Sequence, residues 1–254
     1  HRQGWFECAC CPPNIARLLA SLGNYVYSQC PGGLAVHLYL QSSVQVHLDH
    51  GEPLTLSQET NYPWEGKVRF QVELETPREF SILLRIPGWV RSFQLRVNQE
   101  TVTKVVKDGY ATLKRQWRPG DQLELQLEMP VEIIRAHPAV WQNAGRVALQ
   151  RGPLVYCLEE GDHSLPVTQI MLPKKPELQA HFEPDTLGGI MVVEGEGLRF
   201  SLKNWGNTLY QSATIDDSLI KIPFKAIPYY AWDNRDPGTM VVWIPQAMED
   251  LPIL

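Results

Sequence analysis

The sequence lacks a long apolar run, a basic cluster and a leader segment. No stretch approaches the roughly 18 apolar residues that a membrane-spanning helix needs. Lysines are adjacent only at Lys174-Lys175 and the net charge is -5, which argues against the clustered positive face of a nucleic-acid-binding protein. Residues 1–4 (His-Arg-Gln-Gly) contain no initiator Met and no apolar region typical of a signal peptide. Because the most distinctive motif follows within a few residues, we expect a fragment or a processed part of a longer protein.

The cysteines are also too few and too unevenly spaced for a disulfide framework. There are 5 of them, an odd number in a chain of 254 residues. Cys157 lies in an apolar run and is predicted to be a small buried side chain. Cys30, beside Pro31, is predicted to be a thiol at a helix end without a chemical role. This usage favours a reducing, cytoplasmic setting, although a signal peptide upstream of the sequence is compatible with it.

One helix and many strands are predicted from the hydrophobic periodicity. Apolar residues after Pro12 recur at helical spacing: Ile15, Leu18, Leu19, Leu22 and Val26. Proline is tolerated in a first helical turn, so the helix is predicted to begin near Pro12 and to end before Pro31. From Leu34 onward the period changes to two, and Gly- and Pro-containing turns separate short alternating runs. The predicted fold class is mainly β, with antiparallel sandwiches behind one N-terminal helix.

The β-rich part is predicted to contain two antiparallel sandwich units. The first covers residues 31–130, and the second, which opens after Met129-Pro130, covers residues 131–238. Residues 239–254 include a strong strand pattern that is predicted to return to the first sandwich. Residues 159–189 are rich in proline and polar side chains, and we predict a loop with little regular structure there.

A cysteine cluster stands immediately before the predicted helix, in residues 8–14 (Cys-Ala-Cys-Cys-Pro-Pro-Asn). A helix N-terminus lowers the pKa of a nearby thiol, and thiolates are both nucleophiles and zinc ligands. A structural zinc site normally has four protein ligands, and no second Cys or His cluster of matching spacing exists in the sequence. Spacing alone therefore leaves catalysis, metal binding, a redox switch and simple packing open.

Three stretches resemble the β-L-arabinofuranosidase family, glycoside hydrolase family 127. They are residues 5–14 (WFECACCPPN), 145–156 (GRVALQRGPLVY) and 227–235 (IPYYAWDNR). The first stretch is very specific to the family, and the other two are characteristic but structural. The resemblance implies an N-terminal (α/α)6 barrel of the six-hairpin glycosidase type, followed by β-sandwich domains. Residues 1–30 would then be the last piece of a barrel that is otherwise absent.

The resemblance also implies a mechanism for a retaining glycosidase. Cys10 would be the nucleophile, and Cys10 and Cys11 would be ligands of a Zn²⁺ cofactor that keeps the thiol deprotonated. A thioglycosyl intermediate would form on Cys10 and water would then resolve it. The remaining zinc ligands, a Glu and a Cys, and the acid/base Glu would lie upstream of residue 1. We therefore expect this chain alone to be inactive.

Other polar and aromatic residues are given smaller roles. His1 and Trp5 are candidates for lining the sugar pocket, whereas Glu7 is expected at the surface or supporting the site. Glu159 and Glu160 are predicted to be solvated loop charges. The implied partners are an L-arabinofuranosyl glycoside or oligosaccharide and the barrel of the same protein. The sequence leaves open a homodimer, and also the alternative of a non-catalytic sandwich module that binds carbohydrate or braces a neighbouring domain.

Overall fold

A computed structural model describes residues 3–48, 51–103, 105–212 and 218–247. The chain divides into two compact units, Gln3–Met129 and a second unit that begins at Pro130. Both units are mainly β, as the alternating sequence patterns predict.

The first unit consists of a short helical segment followed by eleven strands among its described residues. Its elements are α1 (Cys11–Ser21), α2 (Gly23–Val26), β1 (Tyr27–Cys30), β2 (Gly33–Val36), β3 (Ser42–His47), β4 (Pro53–Thr60), β5 (Lys67–Glu73), β6 (Arg78–Arg85), β7 (Phe93–Val97), β8 (Glu100–Thr101), β9 (Val106–Lys107), β10 (Tyr110–Trp117) and β11 (Gln122–Leu127). One sheet has the order β1-β2-β6-β10-β9 and the other the order β3-β4-β5-β11-β7-β8. All neighbours run antiparallel except β2 and β6, which pair in parallel.

The two sheets of the first unit share one apolar core. Strands such as β5 alternate strictly between buried and outward-facing residues, because successive side chains of a strand point to opposite faces. The buried set includes residues from both sheets, among them Phe70, Ile82 and Leu125, around the fully buried Trp117. The Trp117 indole N–H donates a 3.1 Å hydrogen bond to the carbonyl oxygen of Phe80, so this large side chain leaves no polar atom unpaired. The predicted sandwich is therefore present.

Within its described residues, the second unit builds its sheet from eight strands. They are β12 (Val131–Arg135), β13 (Arg146–Arg151), β14 (Leu154–Glu159), β15 (Leu178–Glu183), β16 (Ile190–Phe200), β17 (Leu219–Pro228), β18 (Met240–Val241) and β19 (Ile244–Pro245). The main path has the order β12-β13-β14-β17-β16-β15, and all its pairs are antiparallel. Val167, Ile170 and Leu172, from the segment between β14 and β15, complete its core.

The helical segment is shorter than predicted. Helical residues end at Val26, and Tyr27–Cys30 form β1, which pairs with β2 in the first sheet. The apolar spacing continued through Val26 into residues that suit a strand, so periodicity alone could not locate the change. Cys30 accordingly ends a strand and not a helix.

Two predictions for the second unit are wrong. The closing strands β18 and β19 pair with β14 and β13 of the second unit and not with the first sandwich. The segment 159–189, predicted as loop, contains β15, which forms six residue pairs with β16. In both cases the partner strand is distant in the chain, and local sequence does not specify it.

The packing of Gly66 against β11 gives a test of the first unit. A Cβ atom at Gly66 would lie 1.9 Å from the Leu127 carbonyl oxygen. This distance is a steric clash, and only a shift of the backbone would relieve it. We expect Gly66→Ala to lower the free energy of unfolding by about 2 kcal/mol or more, as overpacking does. Gly88→Ala is the matched control, because nothing lies within 4 Å of its added Cβ. Chemical denaturation measures both, and equal stabilities of the two variants would contradict this packing.

Candidate active site

Three thiols meet at the start of α1. The Cys8 and Cys10 Sγ atoms are 3.1 Å apart, and the Cys10 and Cys11 Sγ atoms are 3.7 Å apart. All three cysteines are exposed and none is in a disulfide. Glu7 has a φ of 56°, in the left-handed region, so the chain turns sharply just before Cys8. The structure therefore brings together the residues that the sequence motif singled out.

Local backbone contacts hold Cys10 at the helix entrance. Asn14 Nδ2 donates a 2.8 Å hydrogen bond to the Cys10 carbonyl oxygen, and the Asn14 backbone N–H donates a 3.3 Å bond to the same oxygen. The Arg17 guanidinium in turn donates to the Asn14 side-chain oxygen. Pro12 and Pro13 occupy the first turn, where a missing backbone N–H costs nothing. This turn presents the thiols of Cys10 and Cys11 side by side.

The spacing of Cys10 and Cys11 fits a shared zinc ion. Tetrahedral coordination with Zn–S bonds of about 2.3 Å separates two sulfur ligands by about 3.8 Å. The 3.7 Å between the Cys10 and Cys11 sulfurs agrees with this separation, and the 3.1 Å between Cys8 and Cys10 is too short for it. The donor set therefore suits Zn²⁺ at Cys10 and Cys11, with Cys8 outside the pair.

The contacts between the thiols shift their pKa values in opposite directions. The hydrogen bond with Cys10 lowers the pKa of the Cys8 thiol below its ordinary value. Hydrogen bonding to Cys8, and then to Cys11, raises the pKa of the Cys10 thiol. The contacts among the thiols favour charge on Cys8, which opposes the effect expected from a helix N-terminus.

The helix that carries the thiols buries none of its side chains. Ile15, Leu18 and Leu19, the apolar stripe from which the helix was predicted, are 57%, 48% and 65% exposed. Trp5, a predicted sugar-pocket residue, is also exposed. The other such candidate, His1, lies outside the described residues.

A second group of potential metal ligands lies on the sheet of the second unit. Ligand atoms of His181, Glu183 and Glu194 all lie within 4.8 Å of one another. The Lys225 ammonium is already 3.1 Å from Glu183 Oε1, and Glu183 also accepts a 2.5 Å hydrogen bond from Thr186. Because the Lys225 ammonium already balances the charge of Glu183, we interpret His181, Glu183 and Glu194 as an ion-paired surface cluster and not as a metal site.

A buried charge network in the second unit was missed by the sequence analysis. Glu159, predicted to be solvated, is only 2% exposed at the end of β14. It accepts hydrogen bonds from the Arg235 guanidinium and a 3.0 Å bond from the Asp233 backbone N–H. Arg235 also contacts both carboxylate oxygens of Asp162. Arg235 thereby fixes residues 227–235, one of the three distinctive stretches, against β14.

Cys157 is buried, as the sequence predicts. Cys157 is fully buried in β14, and this burial raises the pKa of its thiol to about 12. It therefore has no part in the thiol chemistry of the exposed cluster. Among the described residues, the helices are all too short or too polar to cross a membrane.

Two family models match the chain in succession. The middle domain of β-L-arabinofuranosidases of glycoside hydrolase family 127 matches residues 33–129, and the C-terminal domain of the same family matches residues 131–245. The chain belongs to glycoside hydrolase family 127. The resemblance found in the sequence is thereby confirmed.

Several arabinofuranosidases are similar to the chain over nearly its whole length. A non-reducing end β-L-arabinofuranosidase of Bifidobacterium longum subsp. longum is 36% identical, over 96% of this chain and 38% of its own length. The crystal structure of a family 127 β-L-arabinofuranosidase from Geobacillus stearothermophilus T6 superposes with a TM-score of 0.91 at 50% identity, over 97% of this chain and 39% of that one. A family 127 β-arabinofuranosidase gives a TM-score of 0.87 at 34% identity, over 99% of this chain and 41% of its own. The chain spans about two-fifths of the length of these relatives.

The charge network of the family 127 C-terminal domain can be tested by removing its cation. We expect Arg235→Met to lower the free energy of unfolding by about 3 kcal/mol, because it leaves the buried Glu159 carboxylate without its cation and Asp162 with only Lys225, 3.7 Å away. Lys221→Met is the control: Lys221 pairs with Glu196 on the surface, and its loss should change stability little. Denaturant titrations measure both, and equal effects would contradict the network.

The effect of Arg235→Met on stability should depend on pH. Burial alone would raise the pKa of Asp162, but hydrogen bonding and the charges of Arg235 and Lys225 outweigh it and hold the pKa below its usual range. A pKa lower in the folded than in the unfolded chain stabilises the fold above the unfolded value of about 3.9, and the benefit is lost as the pH falls through the folded value. The stability difference between wild type and Arg235→Met should therefore shrink below about pH 4.

Proposed function

We propose that the chain is the C-terminal part of a retaining glycosidase that hydrolyses β-L-arabinofuranosides. The proposal depends most on the Cys10–Cys11 pair, whose sulfurs are 3.7 Å apart at the entrance of α1. Membership of family 127 supports it, and so do the activities for which the similar enzymes are named.

Cys10 acts as the nucleophile in this mechanism. Its Sγ attacks the anomeric carbon, the bond from that carbon to the leaving oxygen breaks, and an acid supplied from outside this chain protonates that oxygen. The product is a thioglycosyl intermediate with a new C–S bond. A water molecule then attacks the same carbon, the C–S bond breaks, and the group that gave its proton takes one from the water. Two displacements retain the configuration of the sugar.

Cys10 and Cys11 would hold a zinc ion, together with ligands from upstream of residue 1. A bound zinc supplies the positive charge that lowers the pKa of a coordinating thiol. This charge would offset the contacts with Cys8 and Cys11 that raise the pKa of Cys10. Asn14 orients the backbone of Cys10 and so keeps its thiol beside Cys11.

The missing acid/base and ligands would come from a helical barrel that precedes the chain. The helical residues up to Val26 would form the end of that barrel, since Tyr27–Cys30 already belong to the first sandwich, and the two β units would be its supporting domains. The exposed stripe of Ile15, Leu18 and Leu19 offers the apolar surface on which another barrel helix would pack. Trp5, and His1, would lie near the sugar. Because the three exposed thiols must stay reduced, we propose a reducing, cytoplasmic setting.

The nucleophile is tested by Cys10→Ser in the full-length enzyme. We expect turnover of an aryl β-L-arabinofuranoside to fall at least about a thousandfold, because a serine hydroxyl is a far poorer nucleophile than a thiolate at neutral pH. The variant should stay folded and retain most of its zinc, measured by circular dichroism and metal analysis. Cys30→Ser, a thiol outside the cluster, is the matched control. Normal turnover by Cys10→Ser would refute the mechanism, and unfolding would favour a purely structural zinc site.

The dependence on upstream residues is tested with the 254-residue chain itself. We expect it to give no measurable hydrolysis of the aryl glycoside and to bind zinc more weakly than the full-length enzyme, because two thiolates are only part of a four-ligand site. Activity assays and zinc competition with a chelator measure the two properties. Turnover by the chain alone would show that its own residues complete the site.

A further inference from the structure

The first unit has a polar cleft remote in sequence from the cysteine cluster. The cleft lies on the six-stranded sheet and has a volume of about 810 Å³. This size is within the range of small-molecule and cofactor sites. Because side chains alternate along a strand, the sheet turns its apolar residues to the core and its polar residues to this cleft.

A row of neutral hydrogen-bonding side chains crosses the cleft. Ser43 on β3 pairs with Ser57 on β4, Ser57 pairs with Gln71 on β5, and Gln71 pairs with Gln122 on β11. Neighbouring strands are about 4.8 Å apart, so these four residues form a line of roughly 14 Å. Hydroxyl and carboxamide groups both donate and accept hydrogen bonds, which matches the chemistry of sugar hydroxyls.

A second row carries charges that largely cancel. Glu59, Arg69, Glu124 and Arg96 face one another in successive strands. Glu124 Oε2 is also 3.1 Å from Lys67 Nζ and 3.6 Å from Arg69 Nε. The three cations therefore face two carboxylates, which leaves too little charge to select a polyanion such as a phosphate chain. The rows favour a neutral ligand that is rich in hydroxyl groups.

Gln58 borders the cleft but belongs to the core side of β4. It is only 3% exposed and lies on the same face as the buried Leu56, opposite to Ser57. Its Nε2 donates to the Tyr27 hydroxyl at 2.8 Å and to the Ser42 hydroxyl at 3.2 Å within the sandwich. Contacts with a ligand at the cleft would therefore come from the outward-facing rows.

We propose that this cleft is a second carbohydrate site, which binds a neutral oligosaccharide containing L-arabinofuranose apart from the catalytic cysteines. The choice of sugar rests on the proposed function, because the substrate supplies the ligand class. The aromatic residue among those lining the cleft, Phe70, is 1% exposed, so no ring is available for stacking there. Recognition would use hydrogen bonds alone, and the site would hold a glycan chain near the enzyme more weakly than an active site would.

The experiment uses the full-length protein with Cys10→Ser, which blocks turnover. The probe is an oligosaccharide of three β-linked L-arabinofuranose units, and calorimetry measures its stoichiometry and Kd. We compare this protein with a version that adds Gln71→Ala and Gln122→Ala in the cleft. The matched control adds Gln45→Ala and Gln126→Ala, which are on the same sheet face but do not line the cleft. Thermal denaturation checks that all three are equally folded.

We expect two binding events per chain, of which the weaker is about tenfold weaker or lost in the cleft variant and unchanged in the control. One binding event in all three proteins would overturn the second site, and so would an equal loss in the control. Hydrolysis of an aryl β-L-arabinofuranoside by the wild-type enzyme tests the proposed function separately. If the wild-type enzyme is inactive but the cleft variant still loses one binding event, the proposed function fails and the cleft does not.

Discussion

Alternation along the strands is the constraint on which the structure of the first unit depends. Every second side chain must be apolar to fill the core, so the intervening side chains are free to be polar. On the six-stranded sheet this division gives a buried layer around Phe70 and Leu125 and an outer layer with Gln71 and Glu124. The same constraint therefore produces both the core and the polar cleft, and a shift of one residue in register would exchange them.

Much of this fold could be predicted because alternation is a local property. The strand containing Val68, Phe70 and Val72 is visible in the sequence without knowledge of its partners. β17 was harder, because Pro223 lies in its interior, where it cannot donate a ladder hydrogen bond, although the strand lies between β14 and β16. The end of the helical segment and the partners of β18 and β19 depend on long-range pairing, which short patterns do not encode.

The candidate site, like the fold, was predictable only in part from the sequence. The types and order of Cys10 and Cys11 were evident from the sequence, and the family to which they point is confirmed. The separation of their sulfurs and the contact of Cys10 with Cys8 depend on the local backbone conformation, including the positive φ of Glu7, which the residue types do not reveal. Burial of Glu159 could not be foreseen for a similar reason, since its partner Arg235 lies far along the chain.

The junction between the thiol-bearing helices and the first sandwich has no loop. α2 ends at Val26, β1 begins at the next residue, Tyr27, and the β1–β2 hairpin is held in the sheet by the parallel pairing of β2 with β6. The change from helical to extended backbone is therefore confined to the step from Val26 to Tyr27. The end of α2 is thereby tied directly to the first sandwich through the hairpin of β1 and β2.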